Sequence, residues 1–366
     1  MEAVLQSAIT IVIFLVILGS IVVLHELGHF ITARVARITV HEFGIGFPPR
    51  AAVLGKRGDT TWTLNWLPIG GFVKLEGEDG DSDDPHSFGR AGLPKQLIVL
   101  VAGVTMNLFL AVAIFWSIAW FANPVAALDI GEVQAGSPAA VAGIVAGDRI
   151  IGMERVSFDY LDGPEGVIGS IKTNAGQTKT FTILHANGEK AQVTATLRTQ
   201  SEIDAEHGAL GIAKLGFTFT GDYFQRGPID SFQVAVQRTV SAFSLILQGL
   251  GSLVVSLVSH PTQAPPVSGP VGIAVQVGDG FWQLGPIFTL YLAGILSANL
   301  ALVNVLPFPP LDGGRMAILL VKRFAGSRLS GTAERLTYLV GFALIMGLLL
   351  WVTLFDIIRQ VTGSGS

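Results

Sequence analysis

The chain has 366 residues, of which 50% are hydrophobic and only 14% are charged. Soluble domains carry about 25% charged residues, so much of this chain is expected to lie outside water, which excludes a soluble cytosolic enzyme. A net charge of −4 provides no basic surface, and no nucleic-acid partner is therefore expected. Cysteine is absent, which excludes disulfide scaffolds, thiolate metal sites and cysteine nucleophiles.

Four stretches without charged residues are long enough to cross a bilayer, which takes about 20 apolar residues. They are residues 3–24, 96–128, 280–311 and 336–355. A fifth apolar stretch, residues 239–258, is rich in Gly and Ser and is closely followed by prolines, so it is predicted to be an interfacial or re-entrant helix. The first stretch is predicted to be a retained membrane helix and not a signal peptide, because only Glu2 precedes it as a charge.

Basic residues predict the orientation of these spans, because cytoplasmic loops are enriched in Lys and Arg. The loop after the first span and the loop after the third span both carry such clusters. They consist of Arg34, Arg37, Arg50, Lys56, Arg57, Lys74, Arg90 and Lys95 in the first loop and Arg315, Lys322, Arg323, Arg328 and Arg335 in the second. Both loops are therefore predicted to be cytoplasmic, and the segment from about 127 to 230 is predicted to lie on the outer side.

The sequence His25-Glu26-Leu27-Gly28-His29 stands at the end of the first span. Two histidines four residues apart share one helical face and can bind one metal ion, and Glu26 at the edge of that face can take a proton from an attacking water. Chance would give this pattern in roughly 0.5% of such chains. The alternative is a helix end with two satisfied histidines and a capping carboxylate, which the cost of ionisable groups in a membrane disfavours.

A catalytic zinc usually has three protein ligands and one open position. Positions 32 and 35 hold Thr32 and Val35, so the extended zincin pattern, which needs Gly and His there, does not apply. Asp312 is the carboxylate at the inner end of the third span, which runs in the same direction as the first. We therefore expect it at the membrane depth of the two histidines, about 33 Å along the first helix. Taken alone, Asp312 would be better explained as an ordinary loop residue that follows Pro309 and Pro310.

Two motifs together resemble the site-two protease family of M50-type intramembrane zinc metalloproteases. Its patterns HExxH and NxxPxxxLDG match at every fixed position, in residues 25–29 and 304–313. Residues 43–47, 68–74 and 268–273 look like the bacterial branch typified by the regulator of sigma-E protease. One departure lies at the start of the second span, where Gly-Pro-x-x-Asn is usual and Val104 replaces the proline between Gly103 and Asn107.

The resemblance implies an enzyme of the bacterial cytoplasmic membrane, with its active site near the cytoplasmic side and one zinc ion per chain. Its substrates would be transmembrane segments, such as those of anti-sigma factors already shortened by another protease, or remnant signal peptides. The residues carried over are the zinc ligands His25, His29 and Asp312, the general base Glu26, and the substrate-cleft residues Asn304 and Pro307, of which Asn304 would also hold the oxyanion.

Residues 127–200 contain short β-type runs among turn residues. Within them, 136–140, 142–144 and 146–150 resemble a PDZ domain of the protease-associated type. Such domains accept a peptide as an added strand, so a peptide ligand is one expected partner besides lipid and substrate. The alternatives are a β-rich spacer without a ligand and a size filter that excludes substrates with bulky outer domains.

Residues 40–74 alternate turns with β-forming residues and follow the metal motif directly. A transmembrane helix must unwind before water can attack it, and an exposed strand edge could pair with the freed backbone groups, which lipid cannot do. A packed cytoplasmic lid without substrate contact is the alternative.

The predicted fold class is a polytopic α-helical membrane protein with about four transmembrane helices, a cytoplasmic β-hairpin region and one extracytoplasmic PDZ-like α/β domain. Its predicted parts are the first transmembrane helix (1–33), the β-hairpin loop (34–95), the second helix (96–126), the PDZ-like domain (127–200), a linker with the interfacial or re-entrant helix (201–279), the third transmembrane segment (280–314), a cytoplasmic loop (315–335), the fourth helix (336–358) and a flexible tail (359–366).

Two other functions fit parts of this pattern. A non-catalytic membrane adaptor would capture peptides through the PDZ-like domain, and it predicts degeneration of the HExxH set, which is intact. A metal transporter would need polar residues along several spans, and the second and fourth spans supply almost none.

Overall fold

The computed structural model describes residues 2–78, 82–203, 206–325 and 331–362. The chain divides into two compact units. Residues Met1–Trp116 and Gln233–Ser366 form the first, here the membrane unit, and Ser117–Phe232 form the second, here the β-rich unit.

Nine α-helices occur in the described residues. They are α1 (Glu2–Val35), α2 (Leu93–Phe121), α3 (Pro138–Val141), α4 (Gly163–Thr173), α5 (Pro228–Ser259), α6 (Pro270–Asp279), α7 (Pro286–Val305), α8 (Asp312–Ala325) and α9 (Gly331–Thr362). Several of them begin at a proline, which suits a first helical turn because proline has no N–H that would be left unpaired there. Five helices, α1, α2, α5, α7 and α9, are long and apolar enough to cross a membrane.

Ten β-strands occur in the described residues. They are β1 (Val40–Arg57), β2 (Thr60–Leu75), β3 (Asn123–Asp129), β4 (Glu132–Val133), β5 (Arg149–Met153), β6 (Val156–Ser157), β7 (Thr178–Leu184), β8 (Lys190–Thr196), β9 (Ile212–Ala213) and β10 (Gly216–Phe224). The first two belong to the membrane unit and the other eight to the β-rich unit.

In the membrane unit, β1 and β2 form a bent antiparallel hairpin. Because both strands bend, the hairpin contains more than two adjacent rows of paired residues. Residues 42–45 of β1 pair with residues 71–74 on one side and with residues 61–64 on the other, while residues 50–57 pair with residues 60–65. Residues 71–75, here the edge row, therefore pair only with the start of β1 among the described residues. On the opposite side of this row, the N–H of Leu75 donates to Oε2 of Glu78 at 3.3 Å, and residues 71–74 have no strand partner among the described residues.

The helix α6 is tied to α9 by a buried carboxylate. Asp356 of α9 is 3% exposed, and its Oδ2 accepts a hydrogen bond of 2.8 Å from the N–H of Gly272, in the first turn of α6. A carboxylate at this position compensates the unpaired N–H groups and the positive end of the helix dipole. Both Gly269 and Gly272 lie so close to Asp356 that an added methyl group would displace it.

In the β-rich unit, five strands pair in the order β10-β3-β5-β7-β8, with β6 beside β5 and a separate β4–β9 pair. The inward side chains form one core, with Leu128, Ile150, Phe181 and Ile183 almost fully buried. The side chain of Ser137 accepts the N–H of Ala140 and caps the first turn of the short helix α3.

The structure differs from the sequence-based boundaries at three places. Strands β9 and β10 come from residues assigned to a linker, and β10 pairs with β3, which begins before residue 127. The third apolar stretch is not one helix, since a single π-helical turn (Gly280–Leu284) precedes α7 and Asp312 already opens α8. The last four residues of the predicted tail lie outside the described residues, and the others continue α9.

Candidate metal centre

The helix α1 carries the first half of the site. His25 and His29 lie one turn apart on the face that α1 turns toward α2, and they are 5% and 8% exposed. Gly28 between them lets the two helices touch, because an added Cβ would lie 2.5 Å from the carbonyl oxygen of Ala102. The glycine in the motif thus sets the close approach of α1 and α2 at the level of the histidines.

The helix α8 carries the other half. Asp312 is its first residue, and the chain reaches it through a tight return after α7. In this return Gly313 packs against the carbonyl oxygen of Val305, where an added Cβ would lie at 2.2 Å. The Leu-Asp-Gly sequence therefore folds the carboxylate back toward α1.

The three predicted ligands converge. Nε2 of His25 lies 3.1 Å from Oδ2 of Asp312 and 3.2 Å from Nε2 of His29, and the remaining distance, from His29 Nε2 to Asp312 Oδ2, is 3.4 Å. Ligands placed tetrahedrally at about 2.0–2.1 Å from a zinc ion are about 3.3 Å apart, so the three atoms have the spacing that zinc requires. Oδ2 of Asp312 is buried and accepts no hydrogen bond from the described residues. A buried, unpaired carboxylate oxygen also fits a bound cation at this point.

The helix α2 leaves room for this arrangement. A Cβ on Gly103 would lie 2.4 Å from Nε2 of His29 and 2.7 Å from Cε1 of His25. On the same face, the carbonyl oxygen of Val99 lies 2.7 Å from Nδ1 of His29. The Nδ1–H group of His29 donates to this carbonyl in the tautomer that leaves Nε2 free to bind a metal. Neither Gly103 nor Val99 was singled out as a metal-site residue from the sequence.

The two predicted cleft residues lie in different surroundings. Asn304, near the end of α7, is 9% exposed, and its Nδ2 lies 3.4 Å from Nε2 of His25. Pro307 follows α7, is exposed, and does not line the cavity at the site, whereas Pro310 and Leu311 do. The structure brings Asn304 to the metal ligands and leaves Pro307 at the turn between α7 and α8.

A cavity of about 400 Å³ opens in front of the three ligands. Glu26 lines it, as do four of the five residues of the edge row, and Gly71 in that row is close enough that an added Cβ would touch Cγ of Glu26. Aromatic and aliphatic side chains, among them Phe47 and Phe72, make much of the remaining wall. The open edge of a strand therefore faces the same space as the candidate base.

One ion pair also lines this cavity. Arg315, one turn after Asp312 on α8, donates to Glu78, which follows β2. Burial lowers the pKa of the Arg315 guanidinium, but the negative charge of Glu78 and its hydrogen bond outweigh this effect and hold the pKa above its ordinary value. The pair connects the helix that presents Asp312 to the end of the hairpin.

Comparison with known proteins identifies the family. The family model described as "Peptidase family M50" matches residues 13–348, which includes every residue of the metal centre. The chain belongs to this family. The prediction of an M50-type zinc metalloprotease from the two motifs is thereby confirmed, and its cofactor is zinc.

Bacterial relatives cover nearly the whole chain. A protein of Clostridium acetobutylicum with the name "Putative zinc metalloprotease" is 30% identical over 97% of this chain and 99% of its own length. A Mesorhizobium japonicum protein of the same description is 30% identical over 94% of this chain and 98% of its own. The "Zinc metalloprotease RasP" of Geobacillus kaustophilus is 26% identical over 95% and 97%, respectively.

Proposed function

We propose that this zinc metalloprotease hydrolyses peptide bonds within transmembrane segments of membrane proteins. The observation that carries the proposal is the placement of the site. Three converging metal ligands, a carboxylate and the open edge of a strand share one cavity beside the C-terminal half of a helix that is long and apolar enough to span a membrane. Pre-trimmed anti-sigma factors and remnant signal peptides are the substrate classes that the family resemblance suggests.

His25, His29 and Asp312 hold the zinc in this proposal. Zinc supplies Lewis acidity, which lowers the pKa of water to about 7 and polarises a carbonyl group. Glu26, in the same cavity, takes the proton from the attacking water and passes it to the leaving amine. Asn304, whose Nδ2 lies beside the ligands, donates to the oxygen of the scissile carbonyl as negative charge develops there. Pro307 contributes by fixing the turn that carries Pro310 and Leu311 into the cleft wall.

The edge row gives the substrate a place to unwind. Peptide groups of a transmembrane helix are hidden in their own hydrogen bonds, and apolar lipid offers no replacement for them. Residues 71–74 have no strand partner on their open side, beside Glu26, among the described residues. An unwound substrate that pairs with this edge keeps its hydrogen bonds and presents an extended peptide bond to the base.

We further propose four membrane-crossing helices, α1, α2, α7 and α9, with α5 not crossing. The first support is the depth of Ala242 in α5. It packs against Ala298 in α7, six residues before Asn304 and therefore about 9 Å from the metal centre along that helix.

The second support is the depth of Pro261, just after α5. Its carbonyl oxygen accepts a hydrogen bond of 3.1 Å from Nε1 of Trp351 in α9. Trp351 comes ten residues after Gly341, which packs on Pro309 next to the site, so Pro261 lies about 15 Å from the metal centre. A helix that crossed steadily from Ala242 would have changed depth by about 28 Å by this point. This favours the interfacial or re-entrant prediction for residues 239–258.

The β-rich unit is proposed to be the PDZ-like domain on the outer side, with a peptide as its ligand. Asp148, in the Gly-Asp-Arg sequence, is 2% exposed, accepts the N–H of Val145 at 3.0 Å and bonds His185 at 2.8 Å. These contacts give Asp148 of the motif a structural role within the folded unit. A peptide ligand rests on the resemblance, and so does the assignment to the bacterial cytoplasmic membrane with the metal centre near the cytoplasmic face.

The proposal is tested with purified protein in detergent and a single-pass membrane protein as substrate. Mass spectrometry of the products locates the cut. We expect a zinc-dependent cut inside the apolar stretch of the substrate, lost on chelation and restored by added zinc. Cleavage confined to the soluble parts of the substrate would contradict an intramembrane protease while leaving the zinc metalloprotease in place.

A further inference from the structure

Three residues of α2 form a stripe beside the metal ligands. Val99, Gly103 and Asn107 are four residues apart and so lie on one helical face. Val99 meets His29, Gly103 lies against both histidines, and Asn107 meets His25. Two members of this stripe already have a role, since Val99 accepts from His29 and Gly103 makes room. The role of the third does not follow from the ligand set.

Asn107 is completely buried, and the nitrogen of its side-chain amide lies 3.2 Å from Nδ1 of His25. Its Oδ1 is also buried and has no hydrogen-bond partner among the described residues. An unpaired buried oxygen of this kind carries a cost in free energy and calls for an explanation.

The requirement of His25 supplies that explanation. Its Nε2 is the atom that faces Asp312 and His29, so Nε2 must be free of a proton to bind a metal. The proton of the neutral ring then sits on Nδ1, which needs an acceptor. Turning the Asn107 amide by 180° exchanges its nitrogen and oxygen without changing its shape. In this orientation Oδ1 accepts the Nδ1–H group, so the oxygen and the ring N–H are both paired, and the amide NH2 takes the former position of the oxygen.

We propose that Asn107 is a positioning residue that accepts the Nδ1–H of His25 through its Oδ1. It fixes the tautomer and the ring orientation of His25, as the Val99 carbonyl does for His29. The inference rests on the proposed ligand role of His25.

A second contact fixes the position of Asn107 relative to α7. Oγ of Ser297, a fully buried residue of α7, donates a hydrogen bond of 2.8 Å to the backbone oxygen of Asn107. Because α7 also carries Asn304 toward the site, this bond fixes α2 relative to the helix that completes the cavity. The position of the Asn107 side chain is thus determined by packing, which an orienting group requires.

The test compares zinc affinity in two variants of nearly the same shape. Asn107→Leu cannot accept a hydrogen bond, and Asn107→Asp can only accept. We expect Asn107→Leu to bind zinc roughly 10–100-fold more weakly, as is usual for lost orienting partners. Asn107→Asp is expected to keep a zinc affinity close to that of the wild type, because its carboxylate oxygen still accepts the Nδ1–H group. Affinity is measured by competition with a chromophoric chelator, independently of cleavage.

Thr105→Val is the matched control, because Thr105 lies on the exposed face of the same helix and bonds only the backbone of α2 among the described contacts. It should bind zinc like the wild type. Zinc affinity of Asn107→Leu equal to wild type would overturn the inference, and so would an Asn107→Asp variant as weak as Asn107→Leu, since Asn107 would then act as a donor. His25→Ala separates the two claims: if this variant also kept wild-type affinity, the ligand assignment itself would be wrong.

Discussion

Nε2 of His25 lies 3.1 Å from Oδ2 of Asp312, although the two residues stand near opposite ends of the chain. A histidine in the C-terminal half of α1 and a carboxylate at the start of α8 meet only because α1, α2 and α7 fix their relative depth. The helix α2 controls this meeting most directly, since Gly103 touches both histidines. The consequences for mutation follow from that packing.

Gly103→Ala should remove zinc without unfolding the chain. The new methyl group would lie 2.4 Å from Nε2 of His29, so the ring must move away from its partner ligands. Overpacking of this kind costs about 1–3 kcal/mol, enough to weaken zinc binding by roughly tenfold or more. Zinc content after dialysis is the measurement.

Its matched control is Gly347→Ala, in the apolar helix α9, where an added Cβ meets nothing within 4 Å among the described residues. That variant should retain full zinc and activity. Equal zinc content in the two variants would show that Gly103 does not limit the space at the site.

Glu78 and Arg315 should be energetically coupled. Removing one partner leaves the other charged group partly buried without compensation, so each single variant, Glu78→Gln or Arg315→Gln, is expected to lower thermal stability in detergent. The double variant should lose less than the sum of the two. A double-mutant cycle should give a coupling of roughly 0.5–3 kcal/mol. Strict additivity would mean that the pair does not hold the hairpin to α8.

Proline substitutions in the edge row should separate folding from substrate pairing. Neighbouring residues of a strand point their N–H groups to opposite sides, and Phe72 and Val73 are neighbours in a row that is paired on one side only. One of the variants Phe72→Pro and Val73→Pro therefore removes a bond to β1 and lowers stability. The other removes an N–H from the open edge.

The second of these variants should keep its melting temperature and lose about tenfold or more in kcat/KM, corresponding to one or more lost hydrogen bonds in an apolar site. Measuring both quantities for both variants decides the point. If the stable variant cleaved as well as the wild type, the substrate would not pair with residues 71–75.

Much of the metal centre could be predicted from the sequence, because helical spacing alone puts His25 and His29 on one face. Asp312 required a topological argument about two spans, and the structure brings its carboxylate to both histidines. The contributions of Val99 and Gly103 could not be predicted, since a backbone carbonyl and an absent side chain leave no chemical signature. The only signal in the sequence is that Val99, Gly103 and Asn107 are spaced four residues apart and therefore share one helical face.

The fold was less predictable where contacts are distant in sequence. The composition of residues 40–74 indicates strands, but not that residues 42–45 pair on both sides, because register depends on bends that local patterns do not encode. Strand β10 joins a partner far away in the sequence, β3, so its residues looked like part of a linker. Hydropathy likewise does not distinguish α5 from the other apolar helices, whereas the contacts of Ala242 and Pro261 do bear on its depth.

The central claim is that Glu26 acts as the base of a zinc-dependent intramembrane protease. The most direct test is cleavage of a single-pass membrane substrate by wild type and by Glu26→Gln, with the zinc content of both proteins measured in parallel. The account predicts equal zinc in the two proteins and product from the wild type alone, because the amide keeps the shape of Glu26 but cannot take a proton. Cleavage by Glu26→Gln at the wild-type rate would contradict it.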